Sequence, residues 1–252
     1  MPTTGSNPKP ALIGHRGYAA ENPENTIAAV KAAATITNAV EVDIRQCATD
    51  ELVVFHDKRL SRLTPARGRV SETSYETLRN LKISGSDESI PRLKEVFDAV
   101  PADVELVLNL KEPGLADDLL TLSAKYEHDV LISSFHPSIL EEIRDLDPTV
   151  PTAYLVQESL MNRVLRPALP GLPSWFYVPE DVTDLIEKAV DMGCEAIHPR
   201  YELCLQTDLV SQAHTIDLRV EPWTITTKRE FEVLKKIGVD AVISDICIGV
   251  VN

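Results

Sequence analysis

The sequence predicts an α/β fold: a closed (β/α)8 TIM barrel with a small inserted subdomain after a hairpin on its second strand. Three observations predict it. The chain has 252 residues, a usual length for one such barrel. Hydrophobic residues make up 44% of it, enough for a large core. Short apolar runs alternate with helix-periodic segments along much of the chain, the pattern of βα units feeding a parallel sheet.

The elements follow in order. Residues 1–10 are polar and proline-containing, a disordered lead-in rather than a signal peptide. Strands are predicted over 12–14, 39–44, 105–110, 130–134, 152–156, 196–198, 218–225 and 241–244. Helical segments are predicted over 26–37, 93–99, 115–126, 137–145, 182–192, 206–213 and 228–237. Asn22 is expected to cap the first helix, with Pro23 as its first residue. After Ile44 the chain runs on to Ala48, turns at Thr49-Asp50-Glu51 and returns over 52–55, a hairpin extending the second strand above the barrel mouth. Residues 58–90 lack a strong period and read as the inserted subdomain, within one domain covering 1–252. The proline-rich stretch 167–179, with its Trp-Phe-Tyr run, reads as a loop packing aromatics on the barrel wall.

Composition narrows the partners. Thirty-nine acidic residues against 25 basic ones leave a net charge of −14, which argues against nucleic acid and anionic membrane. No run approaches the roughly eighteen apolar residues of a membrane span, so no stable membrane insertion is expected. Cys47, Cys194, Cys204 and Cys247 are scattered and read as reduced thiols of a cytoplasmic protein. An anionic protein that handles phosphate needs concentrated positive charge at its site, from a metal ion and one or two basic side chains.

A barrel carries its chemistry at the C-terminal ends of its strands. The first strand ends Gly14-His15-Arg16-Gly17, where Arg16 offers a planar fork to a phosphoryl group and the glycines are expected to let a ligand approach the backbone. Glu41 and Asp43 stand at i and i+2, facing one way with Cα atoms about 6.5–7 Å apart. Two converging carboxylates need either a cation or basic neighbours, and hard oxygen ligands favour Mg²⁺ or Ca²⁺. The hairpin arm ends Phe55-His56-Asp57, hanging His56 over the same mouth. Asp57 then either holds one tautomer of the ring or caps the next turn. Two histidines from different elements can serve as general acid and general base. Asn109 and Lys111 share a face of the third barrel strand, with Lys111 a candidate phosphate contact. Trp223 is a candidate wall against an alcohol group.

Taken together, His15-Arg16-Gly17, Pro23-Glu24-Asn25-Thr26, Glu41-x-Asp43, His56-Asp57, Ser133-Ser134-Phe135, Trp223-Thr224, Gly238-Val239-Asp240 and Ser244-Asp245 resemble the signature of the glycerophosphodiester phosphodiesterase family across nearly the whole chain. The resemblance implies metal-dependent hydrolysis of a small-molecule phosphodiester to a glycerol phosphate and an alcohol. It implies a divalent cation on Glu41 and Asp43, His15 and His56 as the acid–base pair, and Arg16 and Lys111 on the phosphate. Glu24 is read as shaping the mouth. The family pattern has Glu-x-Lys where this chain has Asn109-Leu110-Lys111, so Asn109 would coordinate through an uncharged amide oxygen and hold the metal less tightly. Glu112 is expected to point away from Asn109's face. Of three rival readings, two are a related barrel phosphodiesterase for lysophospholipid or phosphoinositide head groups, and a ligand-binding member weakened in catalysis by Asn109. An unrelated barrel aldolase would need Lys111 as its Schiff-base lysine.

Overall fold

The computed structural model describes residues 9–156 and 181–246. Its strands are β1 (Ala11–Gly14), β2 (Ala39–Gln46), β3 (Leu52–Val54), β4 (Glu105–Leu110), β5 (Val130–Ser134), β6 (Thr152–Leu155), β7 (Ala196–His198), β8 (Arg219–Val220) and β9 (Ala241–Ser244). Eight of them run parallel in the order β8-β7-β6-β5-β4-β2-β1-β9, and β3 is the antiparallel hairpin arm on β2. Between β8 and β9 the barrel closes through irregular backbone bonds. Asp240 N–H donates to Val220 O (3.1 Å), Ile243 N–H to Pro222 O (2.9 Å) and Ile225 N–H to Ile243 O (3.0 Å).

The described helices are α1 (Ile27–Ala34), α2 (Tyr75–Leu78), α3 (Leu93–Ala99), α4 (Ala116–Ser123), α5 (Pro137–Leu146), α6 (Val182–Asp191), α7 (Tyr201–Gln206), α8 (Leu209–His214) and α9 (Lys228–Ile237). Local chemistry explains their ends. Thr227 and Glu230 form a reciprocal capping box at the start of α9, and Gly238 ends it at φ 92°.

Three expectations are corrected. The first helix is capped by Thr26, not Asn22, whose hydroxyl accepts the Ala29 N–H. It starts late because Asn25 is held in the left-handed region (φ 59°) to reach Asp43. The helix expected over 206–213 is two short ones, broken at Thr207, whose hydroxyl accepts the Leu209 N–H. The strand expected over 218–225 is regular only at Arg219–Val220. Pro222 has no N–H for a ladder, and the segment bonds irregularly to both neighbours.

Alternation along each strand sorts residues by layer. Ile13, Ala39, Val107, Leu131, Ala153, Ala196, Ala241 and Ile243 form a buried cluster inside the barrel. Two residues further along, the same inward face carries Glu41, Asn109, Ser133 and His198. The opposite faces, Val40, Val42, Ile44, Leu106 and Leu108 among them, pack on Val30, Val96, Phe97, Leu119 and Ile139 of the helices. Residues 58–90 hold two 3₁₀ turns and α2, and pack Leu60, Val70, Leu78 and Ile90 against Val53 and Phe55 of the hairpin arm. No helix among the described residues is long and apolar enough to cross a membrane. Cys47, Cys194 and Cys204 are buried and free, whereas Cys247 and the stretch 167–179 lie outside the described residues.

Candidate active site

The residues singled out at the strand ends meet in one place. His15, Arg16, Glu41, Asp43, His56, Asn109, Lys111 and Trp223 all line a single pocket of about 140 Å³ at the barrel mouth.

The loop after β1 builds its first wall. Arg16 sits at φ 53°, so its backbone N–H donates to Glu41 Oε2 (2.9 Å), while Gly17 N–H donates to Glu41 O (3.2 Å). Packing requires the flanking glycines. A Cβ on Gly14 would lie 2.9 Å from Ala33 Cβ, and one on Gly17 (φ 81°) would lie 2.5 Å from the Ala29 carbonyl carbon. Both admit α1, which presses this loop onto Glu41. The Arg16 side chain reaches Glu24 Oε1 through Nη1 (2.8 Å), and its Nε lies 3.3 Å from Asp43 Oδ2. Arg16 and Asn25, both non-glycine residues at positive φ, adjoin the same carboxylate, the kind of strain that persists where surrounding contacts over-determine it.

The two acids differ. Asp43, 1% exposed, receives Lys111 Nζ (2.7 Å), Asn25 Nδ2 (2.8 Å) and Asn109 Nδ2 (3.2 Å), and its N–H donates to Asn25 Oδ1 (3.0 Å). Burial opposes its ionisation, but Lys111 and Arg16 hold the carboxyl well below the usual range. Asp43 is thus an acid satisfied by basic neighbours. Glu41 is not. Burial, with Asp43 beside it, pushes its carboxyl up. Asn109 spends its amide N–H on Asp43 and leaves Oδ1 buried with no hydrogen-bond partner. Among the described residues no group of three or more His, Cys, Asp or Glu side chains is arranged for a metal. The hard oxygens available here are the Glu41 carboxylate and the orphaned Asn109 amide oxygen, which suit a hard divalent cation; Asp43 would join them only on giving up Lys111 or Arg16. Glu112 turns away to Arg45 (3.2 Å), as alternation requires.

Each imidazole has a carboxylate on Nδ1. His15 pairs with Asp245 Oδ1 at 2.5 Å and His56 with Asp57 Oδ1 at 2.6 Å. A Nδ1–H donated to the acid leaves Nε2 free to accept or deliver a proton. Phe55 N–H donates to Asp43 O (2.9 Å), which returns the arm to the level of the acids and explains His56's place. Burial is the main cause that lowers the His56 pKa from 6.5, with Arg16 and Lys111 adding to it against Asp43.

Several contributors escaped the sequence reading. Asn25 and Asp245 stood inside recognised motifs without an assigned role, and nothing local predicts that they grip Asp43 and His15. Ser133, Phe135 and His198 also line the pocket. His198 closes β7 with Nε2 on Glu221 (2.8 Å), both buried, and its carbonyl accepts the Trp223 Nε1–H (2.8 Å). Trp223 meets Phe135 edge-on at 5.6 Å, and Lys111 Nζ sits 5.6 Å from the Phe135 ring.

Known proteins resemble this chain in sequence and in fold. A glycerophosphodiester phosphodiesterase of Caldanaerobacter subterraneus subsp. tengcongensis is 28% identical over 94% of this chain and 94% of its own. A lysophospholipase D of Rattus norvegicus is 26% identical over 92% of this chain and 82% of its own. A phosphodiesterase of Oleispira antarctica, solved in complex with the product sn-glycerol-3-phosphate, superposes with a TM-score of 0.76 at 25% identity, covering 95% of this chain and 94% of that one. The model of the Glycerophosphoryl diester phosphodiesterase family matches residues 15–247. With that match over nearly its whole length, this chain belongs to the glycerophosphoryl diester phosphodiesterase family.

Proposed function

We propose that the pocket hydrolyses glycerophosphodiesters to a glycerol phosphate and an alcohol, with His15 and His56 carrying the protons and a divalent cation, Mg²⁺ or Ca²⁺, on Glu41, Asp43 and Asn109. The observation that carries the reading is the meeting of two carboxylate-paired imidazoles, two cationic side chains and an orphaned amide oxygen in one pocket. When bound, the cation would neutralise phosphate charge as the transition state develops. Arg16 and Lys111 hold the phosphodiester oxygens and exchange contacts with Asp43 for contacts with substrate. His56, neutral at pH 7 because burial lowers its pKa, accepts the proton of the attacking hydroxyl as the new P–O bond forms. That hydroxyl is water, or the substrate's own glycerol, in which case water then opens the cyclic phosphate to the glycerol phosphate. His15, held by Asp245, protonates the alcohol oxygen as its bond to phosphorus breaks. Phe135 and Trp223 wall the alcohol side. Residues 58–90 are an insertion within one catalytic domain, and the enzyme works in the cytoplasm.

The test is hydrolysis of water-soluble glycerophosphodiesters with Mg²⁺, Ca²⁺ or chelator. His15→Ala and His56→Ala are each expected to lose on the order of 10²–10⁴ in turnover. Near-full activity in both single variants overturns the assignment. A second reading, cleavage of lysophospholipids, draws on the apolar wall of Phe135, Leu155, Trp223 and Ile243 and on the rat relative. Faster release of choline from lysophosphatidylcholine than from glycerophosphocholine would select it. A gain in activity in Asn109→Glu would show that the amide limits cation binding.

A further inference from the structure

Arg62 ends a 3₁₀ turn of the 58–90 segment and does not line the pocket, yet it holds two groups that do their work beside it. Its guanidinium makes two forks. Nε and Nη2 donate to Asp57 Oδ2 and Oδ1 at 2.5 and 3.2 Å, and Nη1 and Nη2 donate to Glu24 Oε2 and Oε1 at 3.0 and 2.6 Å. Each carboxylate passes the constraint inward. Glu24 Oε1 also receives Arg16 Nη1 (2.8 Å), and Asp57 Oδ1 also meets His56 Nδ1 (2.6 Å). Five side chains therefore run Arg16–Glu24–Arg62–Asp57–His56, with Arg62 in the middle. The turn beneath it is anchored by Leu60, 1% exposed, and by Thr64, whose hydroxyl donates to Leu60 O (3.0 Å).

We propose that Arg62 is a positioning residue that sets the phosphate-holding guanidinium of Arg16 through Glu24 and the imidazole of His56 through Asp57, without touching substrate. The inference rests on the phosphodiesterase reading above. A planar, permanently charged guanidinium can fork onto two carboxylates at once with paired donors, whereas a lysine ammonium, a point charge with three rotatable donors, can make neither bidentate contact. The side chain is 44% exposed, so its ion pairs add little to stability, and what they supply is geometry. Geometry is costly to lose, because a misplacement of about 1 Å can cost on the order of 10²-fold in rate.

The experiment compares purified full-length wild type, Arg62→Ala, Arg62→Lys, Glu24→Gln, Asp57→Asn and the pairwise doubles, with Arg59→Ala as a surface control and His56→Ala as an inactive reference. Arg62→Ala is expected to lower kcat about tenfold and raise KM several-fold, with Tm moved by no more than about 4 °C. Glu24→Gln should act mainly on KM and Asp57→Asn mainly on kcat, and neither should add to its own effect in the Arg62→Ala background. Arg62→Lys should not restore the rate. The proposal is overturned if Arg62→Ala keeps wild-type kcat and KM, if Arg62→Lys restores both, if the doubles are additive, or if the loss follows only the folded fraction. Inactive His56→Ala beside fully active Arg62→Ala rejects this inference alone, whereas full activity in His56→Ala rejects the catalytic reading beneath it.

Discussion

Asn109→Asp is the sharpest probe of the proposed cation site, because it changes charge at constant shape. Asn109 Nδ2 lies 3.2 Å from Asp43 Oδ1, and Asn109 is 6% exposed. The substitution replaces that donor with an oxygen bearing negative charge. At 3.2 Å and an effective dielectric constant of about 20, the repulsion is about 5 kcal/mol, and the lost charge-assisted hydrogen bond adds about 1.5–3 kcal/mol. Lys111 at 2.7 Å and Arg16 at 3.3 Å from Asp43 offset part of this, or the site takes up a proton. A net loss of about 3–5 kcal/mol without cation follows, a fall in Tm of roughly 6–20 °C for a chain of this size. A divalent cation reverses the sign of the argument, since a third carboxylate then strengthens its site. At about 100 times its Kd a ligand adds about 2.7 kcal/mol, and the variant should reach that gain at lower cation concentration than wild type. Thermal unfolding of both proteins in chelator and across Mg²⁺ and Ca²⁺ titrations measures each quantity. Equal Tm in chelator, or equal cation shifts for the two proteins, would refute the placement of the cation beside Asn109.

Other outcomes follow from the same geometry. Because burial lowers the His56 pKa from 6.5, kcat/KM should fall as pH drops through a value below 6.5. Asp57→Asn removes a group that raises that pKa and should move the limb lower still; a limb above 6.5 contradicts the base assignment. Gly17→Ala combines strain at φ 81° with a Cβ 2.5 Å from the Ala29 backbone, and should cost about 2–5 kcal/mol in denaturant unfolding, with activity lost as the Arg16 N–H leaves Glu41. Burial opposes ionisation of Glu221, but the His198 hydrogen bond holds its carboxyl below 4.5. The stability it contributes is present above about pH 4.5 and lost as pH falls through the lower folded value. Glu221→Gln should flatten that acid limb in unfolding midpoints measured from about pH 3 to 7.

The barrel was legible because its signal is local and repeated. Strands such as 105–110, 130–134 and 241–244 are apolar runs of strand length, and α9 announces both ends with Thr227, Glu230 and Gly238. Strand ends mark the chemistry in such a fold, so His15, Glu41, Asp43, Asn109 and Lys111 could be chosen without coordinates. Where the prediction slipped, a tertiary contact outweighed a local preference. Asn22-Pro23 is a good helix start, but Asn25 is pulled out of the helix to bind Asp43, and the cap moves to Thr26.

By itself, then, the amino-acid order determined the class of fold, the hairpin that lifts His56 and the set of groups gathered at the mouth, since periodicity and alternation are properties of neighbours along the chain. Only the tertiary structure decided which partner each group takes. Asp43 sits among Lys111, Arg16, Asn25 and Asn109 while Glu41 keeps one backbone donor, the glycines admit α1, and Arg62 links two motifs 38 residues or fewer away. These pairings depend on distances of a few ångströms between residues far apart in sequence, and Coulomb and hydrogen-bond energies change steeply over that range.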